Sequence, residues 1–284
     1  MQVKQVIGNR RSIRYYLPFR PVEREKVQKM LEGARRASCV GNVTVARAIV
    51  IWREQASEEL MKAITPPLGY QQMQSAPCFI LWYHDKMSYE GNKWIDDLKN
   101  LAGQRRIGED VETTQAVIEK TLRPAFGAAW ETMAVAPLAF MDVGQVVAQA
   151  TMVAWDEGLG TCLMSSPRLE QIGKLLNLPD SAIPVCLMSV GYPAESWEAG
   201  GQTSRPPFES IFFEMQQGTP FKPDPEVEEE LKREGMIQAP APLPWREAEL
   251  KYVSHALDIQ FQLAIGSAPA AKDGAKDGAN GGAK

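Results

Sequence analysis

The stretch from Asp142 to Gly158 constrains the fold more than any other part of this chain. Val143, Val146, Val147, Ala150, Val153 and Ala154 recur at helical spacing, yet they spread around most of the helix circumference. Such a helix must be covered on nearly every side, and a chain of 284 residues buries one sizeable core or two small ones. Packing the helix against a second copy of itself completes the cover, so the pattern predicts a homodimer with an extensive interface. Asp142 is the expected N-cap, and Gly158 suits a left-handed C-terminal stop. The longer apolar run from Met133 to Trp155 is interrupted by Asp142, Gln145 and Gln149, which reads as a buried helix rather than a membrane span.

The elements around it follow from periodicity. Val22 to Ala37 is a helix with Val27, Met30, Leu31 and Ala34 on one face. Arg47 to Trp52, Cys78 to Tyr83, Leu159 to Met164 and Val185 to Val190 are apolar and read as strands. Ser57 caps a short helix with Glu58 and Glu59 in its first turn, and Pro66-Pro67 stops it. Ser166 is a second cap, with Pro167 at the first helical position of a helix carrying Leu169, Ile172, Leu175 and Leu176. Gly191-Tyr192-Pro193 turns the chain after the last strand. Between Asp85 and Pro137 the chain is charged, helix-prone and studded with Tyr89, Trp94, Phe126 and Trp130, the profile of a loosely anchored insertion or lid. Each of these aromatics serves equally well to pack the insertion onto the body.

From Thr219 the texture changes. Lys222 to Gly235 is an acidic helix, Ala239 to Pro244 is proline-rich, and Trp245 to Ile265 carries another helical pattern. Neither piece closes a core alone, so residues 219–266 read as an arm appended to a body of residues 1–218. Ser267 to Lys284 is low-complexity Ala, Gly, Lys and Asp and is expected to be disordered.

Net charge is −4, which gives no bulk attraction for nucleic acid or anionic membrane. The N-terminus lacks the apolar core of a secretory signal. Cys39, Cys78, Cys162 and Cys186 show no paired spacing, and only His84 and His255 are available as imidazoles, so no metal site is signalled. The expectation is a cytoplasmic, reduced, metal-free protein. Its basic residues therefore matter locally, and they cluster at Arg10-Arg11-Ser12-Ile13-Arg14. If that segment is extended, alternation puts Arg10, Ser12 and Arg14 on one side, offering forked guanidinium donors and a hydroxyl to a phosphate dianion. The alternative is a solvated basic turn.

Four pieces, in order, resemble the FMN-dependent nitroreductase family. Arg10-Arg11-Ser12-Ile13-Arg14 resembles its N-terminal phosphate-binding segment, and Ala37-Ser38-Cys39-Val40-Gly41-Asn42 its small-polar loop ending in Asn. Asp142 to Met164, with Glu157-Gly158-Leu159-Gly160-Thr161, resembles its dimer-interface helix and following strand. Val190-Gly191-Tyr192-Pro193 with Arg205-Pro206-Pro207 resembles its closing strand and C-terminal arginine. Each signature alone is common; their order is the specific part, and it covers roughly residues 1–215.

The resemblance implies an α+β fold: a three-layer α/β/α sandwich with a central mixed, mostly antiparallel sheet flanked by helices, in a homodimer with shared active sites. It implies FMN as cofactor, NAD(P)H as co-substrate and a small electron-poor acceptor, with the flavin rather than any side chain carrying the hydride. Arg10, Arg11, Ser12 and Arg14 would hold the phosphate and ribityl chain, joined by Arg205. Val40 and Asn42 would approach the flavin from the partner subunit. Leu163, Ser165 and Ser166 occupy the place where the family meets the ring, and a helix N-terminus after Ser166 would add free N–H donors. Gln72 stands where many relatives carry a Lys at the pyrimidine edge, and Val43-Thr44-Val45-Ala46 replaces a Gln-Pro-Trp segment. Gln72 hydrogen-bonds but brings no positive charge, which bears on the reduction potential. Trp94, Phe126 and Trp130 are the candidates for stacking on substrate, and the arm is expected to wrap the partner. Reductive dehalogenation, flavin destruction, ring dehydrogenation and non-catalytic flavin binding remain alternatives on the same fold.

Overall fold

The computed structural model describes residues 3–65, 70–91, 93–166 and 168–259. Pro66-Pro67, Pro167, the end of the last helical pattern and the 267–284 tail lie outside the described residues. After α1 (Val3–Asn9) and α2 (Arg24–Ala34) comes β1 (Ala46–Trp52), then α3 (Glu58–Ile64), α4 (Gln71–Ser75) and β2 (Cys78–Asp85). Four short helices follow: α5 (Lys93–Gly103), α6 (Val111–Val117), α7 (Arg123–Gly127) and α8 (Trp130–Ala134). The long α9 (Pro137–Asp156) leads to β3 (Gly160–Met164), α10 (Leu169–Leu175) and β4 (Ala182–Gly191), and the arm contributes α11 (Pro225–Arg233) and α12 (Arg246–Ala256).

The four strands form one sheet in the order β1-β2-β4-β3, every pair antiparallel. The parallel component expected of a mixed sheet is confined to an isolated bridge, Ser12 with Thr161. Alternation along β2 builds the layers. Cys78, Ile80 and Trp82 face a large core with Val27 and Met30 of α2 and Val143, Val147, Ala150 and Ala154 of α9. Phe79 and Leu81 face a second core with Leu60 and Ile64 of α3 and Ile172 of α10. Burial raises the Cys78 and Cys186 thiols to about 12 and about 11, so both remain protonated. Pro184 cannot donate to the ladder, and the register slips there: Trp82 pairs with Cys186 and Tyr83 with Pro184.

The lid region is anchored more firmly than its charge suggested. Tyr89, Trp94, Ile95, Ala102 and Ile118 all join the larger core. Ser57 caps α3 as its sequence position indicates, accepting from the Leu60 N–H.

Two caps differ from expectation. Helix α9 begins five residues before Asp142, with Pro137 at its first turn, a position where the missing N–H costs nothing. Asp142 instead sits inside the helix, 1% exposed, and accepts from the Val40 N–H at 3.0 Å. A polar residue at the edge of an apolar run looks the same whether it caps its own helix or a neighbouring loop. The helix does stop at Gly158 (φ +74°), where the Leu159 N–H reaches Ala154 O at 2.8 Å and the Gly158 N–H reaches Trp155 O at 3.0 Å. Helix α10 starts at Leu169, later than Ser166, whose hydroxyl accepts from the Arg168 N–H in the preceding turn.

By length and composition alone, Trp130–Asp156 is long and apolar enough to cross a membrane. In the fold it is two helices broken at Val135-Ala136, and α9 lays its apolar side on α2 and the sheet. Ala150 faces this interior; between its two ends α9 leaves Leu138, Met141, Gly144 and Ala148 exposed.

Gly160 shows how tightly β3 is seated. A Cβ there would lie 2.8 Å from the Cβ of Ile13, which is fully buried. Gly160→Ala should therefore lower stability by about 1–3 kcal/mol, as overpacked cores do, measured by urea denaturation; an unchanged midpoint would show that the N-terminal segment is not held against β3.

Candidate functional site

The N-terminal arginines owe their direction to the strand beside them. Beyond α1 the chain runs extended along β3, with Ser12 bridging Thr161 and the Ile13 N–H donating to Thr161 O at 3.0 Å. On its other edge, the Leu17 N–H reaches Tyr192 O and the Ala194 N–H reaches Tyr15 O, both at 2.9 Å. Ile13 inserts into the second core, which sets the phase of the alternation. Arg11, Ile13 and Tyr15 are turned inward, while Arg10, Ser12 and Arg14 face outward.

The outward side opens on a cavity of about 660 Å³ lined by Arg10, Ser12, Arg14, Arg205, Gln202 and Gln238 among others. Arg205, nearly two hundred residues away in sequence, thus reaches the same space as the N-terminal cluster. Burial lowers the Arg10 pKa, and the neighbouring Arg205 charge lowers it further. Among the described residues, neither these two guanidinium groups nor that of Arg14 forms an ion pair. Among the described residues Arg14 donates only to Ser12 O (3.2 Å) and Arg205 only to Ser204 O (3.3 Å). Like charges gathered around a cavity without a counter-ion are stabilised by an anion, and forked donors suit a phosphate or carboxylate.

Arg11 behaves differently from its neighbours. Although it borders the cavity, its guanidinium donates to Gly8 O, to Arg10 O (3.1 Å) and to Gln238 Oε1 (2.6 Å). Its two terminal nitrogens are thereby committed to the protein itself.

The remaining candidates fall into two further groups. Gln72, buried on α4, directs its amide to the Met164 sulfur at 3.9 Å, which sets it beside the end of β3. Leu163 is on that strand with its side chain exposed, and Ser165 and Ser166 directly follow it. Since strands rise about 3.3 Å per residue, this cluster begins within two residues of the Ser12–Thr161 bridge. Val40 and Asn42 belong to a tight turn beside α5 and α9, outside the cavity lining, with Asn42 in the left-handed region (φ +64°). The Val40 N–H is already taken by Asp142. Trp94 is buried with its ring edge-on to Phe126, centroids 5.1 Å apart, and both pack with Trp130 on the larger core.

Sequence reasoning missed Glu195, Gln202, Gln238 and Arg246. None belongs to a motif; they are single polar residues whose importance lies in what the fold brings against them.

A profile of the Nitroreductase family matches residues 7–192. The chain belongs to the nitroreductase family. Consistent with this, it is 23% identical over 189 residues to YodC of Bacillus subtilis, whose given name is that of an NAD(P)H nitroreductase; the match covers 66% of this chain and 87% of that one. A nitroreductase-family protein from Streptococcus pneumoniae TIGR4 shares the fold at a TM-score of 0.58 and 20% identity, covering 74% of this chain and 98% of the other. A protein from Exiguobacterium sibiricum 255-15, assigned as a nitroreductase and crystallised in complex with FMN, matches at a TM-score of 0.56 and 25% identity, covering 75% and 96%. The α+β family fold read from the sequence is the observed one. The family match ends before Arg205 and before the arm, which supplies part of the cavity wall.

Arg205→Gln should leave melting temperature without anions unchanged or slightly higher, because it relieves Arg10 of a like charge. The same variant should gain less thermal stability than wild type from added inorganic phosphate. An equal gain would place the anion elsewhere.

Proposed function

We propose that this chain is an FMN-dependent oxidoreductase that takes a hydride from NAD(P)H and passes it to an electron-poor acceptor, a nitroaromatic, quinone or activated alkene, in a ping-pong cycle. The observation that carries the reading is the convergence of Arg10, Arg14 and Arg205 on one cavity without carboxylate partners among the described residues. That donor set fits a phosphate dianion, and membership of the nitroreductase family makes FMN the ligand that bears it. When bound, FMN supplies the two-electron redox chemistry, which the chain's own side chains lack.

The chain's part is to bind and to orient. Arg10, Arg14 and Arg205 hold the phosphate, with the Ser12 hydroxyl beside them. Gln72, Leu163, Ser165 and Ser166, gathered at the end of β3, meet the ring system. Gln72 lies in a buried site and offers an amide where a cation would stabilise negative charge on the ring more strongly.

The remaining candidates fit a second copy of the chain. Val40, Asn42 and the lid aromatics lie together, since α5 packs on the turn that carries Asn42, and they stand apart from the arginine cavity. In a homodimer they would face the partner's flavin, with Trp94, Phe126 and Trp130 near the acceptor. The exposed side of α9, with Met141, Gly144 and Ala148, supplies an apolar surface for that contact. A cytoplasmic location fits the same reading, since both the reductant and reduced thiols belong there.

Two measurements test these points. Purified protein should be yellow, NAD(P)H should bleach the flavin band without oxygen, and a nitroarene or quinone should restore it. Consumption of the flavin under oxygen would instead indicate flavin destruction and sink the hydride-transfer reading. Ala148→Arg should shift the light-scattering mass from two chains towards one; an unchanged dimer would place the interface on another surface.

A further inference from the structure

Residues beyond the family match grip the anion-binding segment from outside. Glu195 is the centre of this arrangement, and its side chain is fully buried. One carboxylate oxygen accepts from the Arg14 and Tyr15 N–H groups, the latter at 3.1 Å. The other pairs with Arg246 Nη2 of α12 at 2.6 Å. Arg246 Nη1 reaches Glu249 at 2.7 Å, and the second Glu249 oxygen accepts from the Ser196 N–H at 2.6 Å. The Tyr15 hydroxyl lies 3.0 Å from that of Ser254, and Tyr15 packs with Val253 and Ile259. At the other end of the segment, Gln238 accepts from Arg11 and donates to Asn9 Oδ1 at 2.8 Å.

A fully buried carboxylate is unfavourable unless it is paired and its lone pairs are satisfied. Glu195 is paired with a cation from the C-terminal helix, and its other oxygen accepts from the backbone N–H groups of Tyr15 and of Arg14, the residue whose side chain opens to the cavity. Among the described residues the Arg14 side chain has Ser12 O as its single hydrogen-bond partner. Its starting point is therefore set by its backbone, whose N–H Glu195 holds.

We propose that Glu195 is a positioning residue for phosphate recognition, through which Arg246 of the C-terminal arm places Arg14 at the anion cavity. The inference rests on the reading that this cavity takes the phosphate of FMN. It makes the arm part of the cofactor site, although it lies outside the segment shared with the family.

The test compares FMN with riboflavin, which lacks the phosphate, by titration of the full-length chain stripped of flavin. Arg246→Met, Glu195→Gln and the double variant should each weaken FMN about tenfold, with the double no worse than either single, as expected of residues acting as one unit. Riboflavin affinity should be unchanged in all three. Unchanged FMN affinity, or equal loss for both flavins, would overturn the proposal, because the pair would then have no role or only a general structural one. If Arg246→Met does not fold, Arg246→Lys keeps the charge and loses the fork; a smaller loss confined to FMN supports the proposal and no loss overturns it. Failure of the wild-type chain to bind FMN would sink the cofactor reading itself, a result visible before any variant is measured.

Discussion

Everything in the site depends on the pairing of an extended N-terminal segment with β3. Ile13 is the pin. Its side chain fills the space that Gly160 leaves by lacking a Cβ, and its N–H bonds to Thr161 O. With Ile13 inward, the two-residue period of an extended chain sends Arg10, Ser12 and Arg14 outward together. A slip of one residue would bury three polar side chains and expose Ile13. Core packing and ligand recognition are in this way one constraint, satisfied by a single register.

The cavity this creates is electrostatically unbalanced without a ligand. Arg10, Arg14 and Arg205 share it with the internally bonded Arg11, and burial together with the nearby Arg205 charge lowers the Arg10 pKa. The surrounding structure tolerates that tension because it is well tied elsewhere. Arg11 is consumed by Gly8, Arg10 and Gln238 acceptors, and Glu195 holds the backbone at Arg14 and Tyr15. Among the described residues Arg10, Arg14 and Arg205 make no ion pair, whereas Arg246 is paired with Glu195 and Glu249.

The layers were legible from local patterns because each depends on residues close together in sequence. The four strands, the helix over Val27 to Ala34, the Ser57 cap and the Gly158 stop all follow from short-range periodicity and backbone preference. Of the site, the arginine cluster could be read for the same reason, since alternation is a local property. Asp142 was misjudged as a cap because its partner, the Val40 N–H, lies about a hundred residues away. The lid looked loosely held because its charge is visible in sequence, whereas the burial of Trp94, Ile95 and Ile118 is not. Glu195 and Arg246 left no trace at all; a lone acid and a lone base 51 positions apart become a buried pair only when α12 docks.

By itself, then, the amino-acid sequence determined which segments become strands and helices, which faces they bury, and that a phosphate-seeking cluster stands near the N-terminus. Periodicity and charge are carried by neighbours along the chain, so no fold is needed to see them. Only the tertiary structure put Arg205, which the family resemblance had implied, at the same cavity, turned the Arg11 guanidinium to Gly8, Arg10 and Gln238, and brought the C-terminal arm against the segment. Those outcomes depend on distances through space between residues far apart in the chain, and such distances exist only once the sheet has brought Ser12 against Thr161 and Tyr15 beside Ala194.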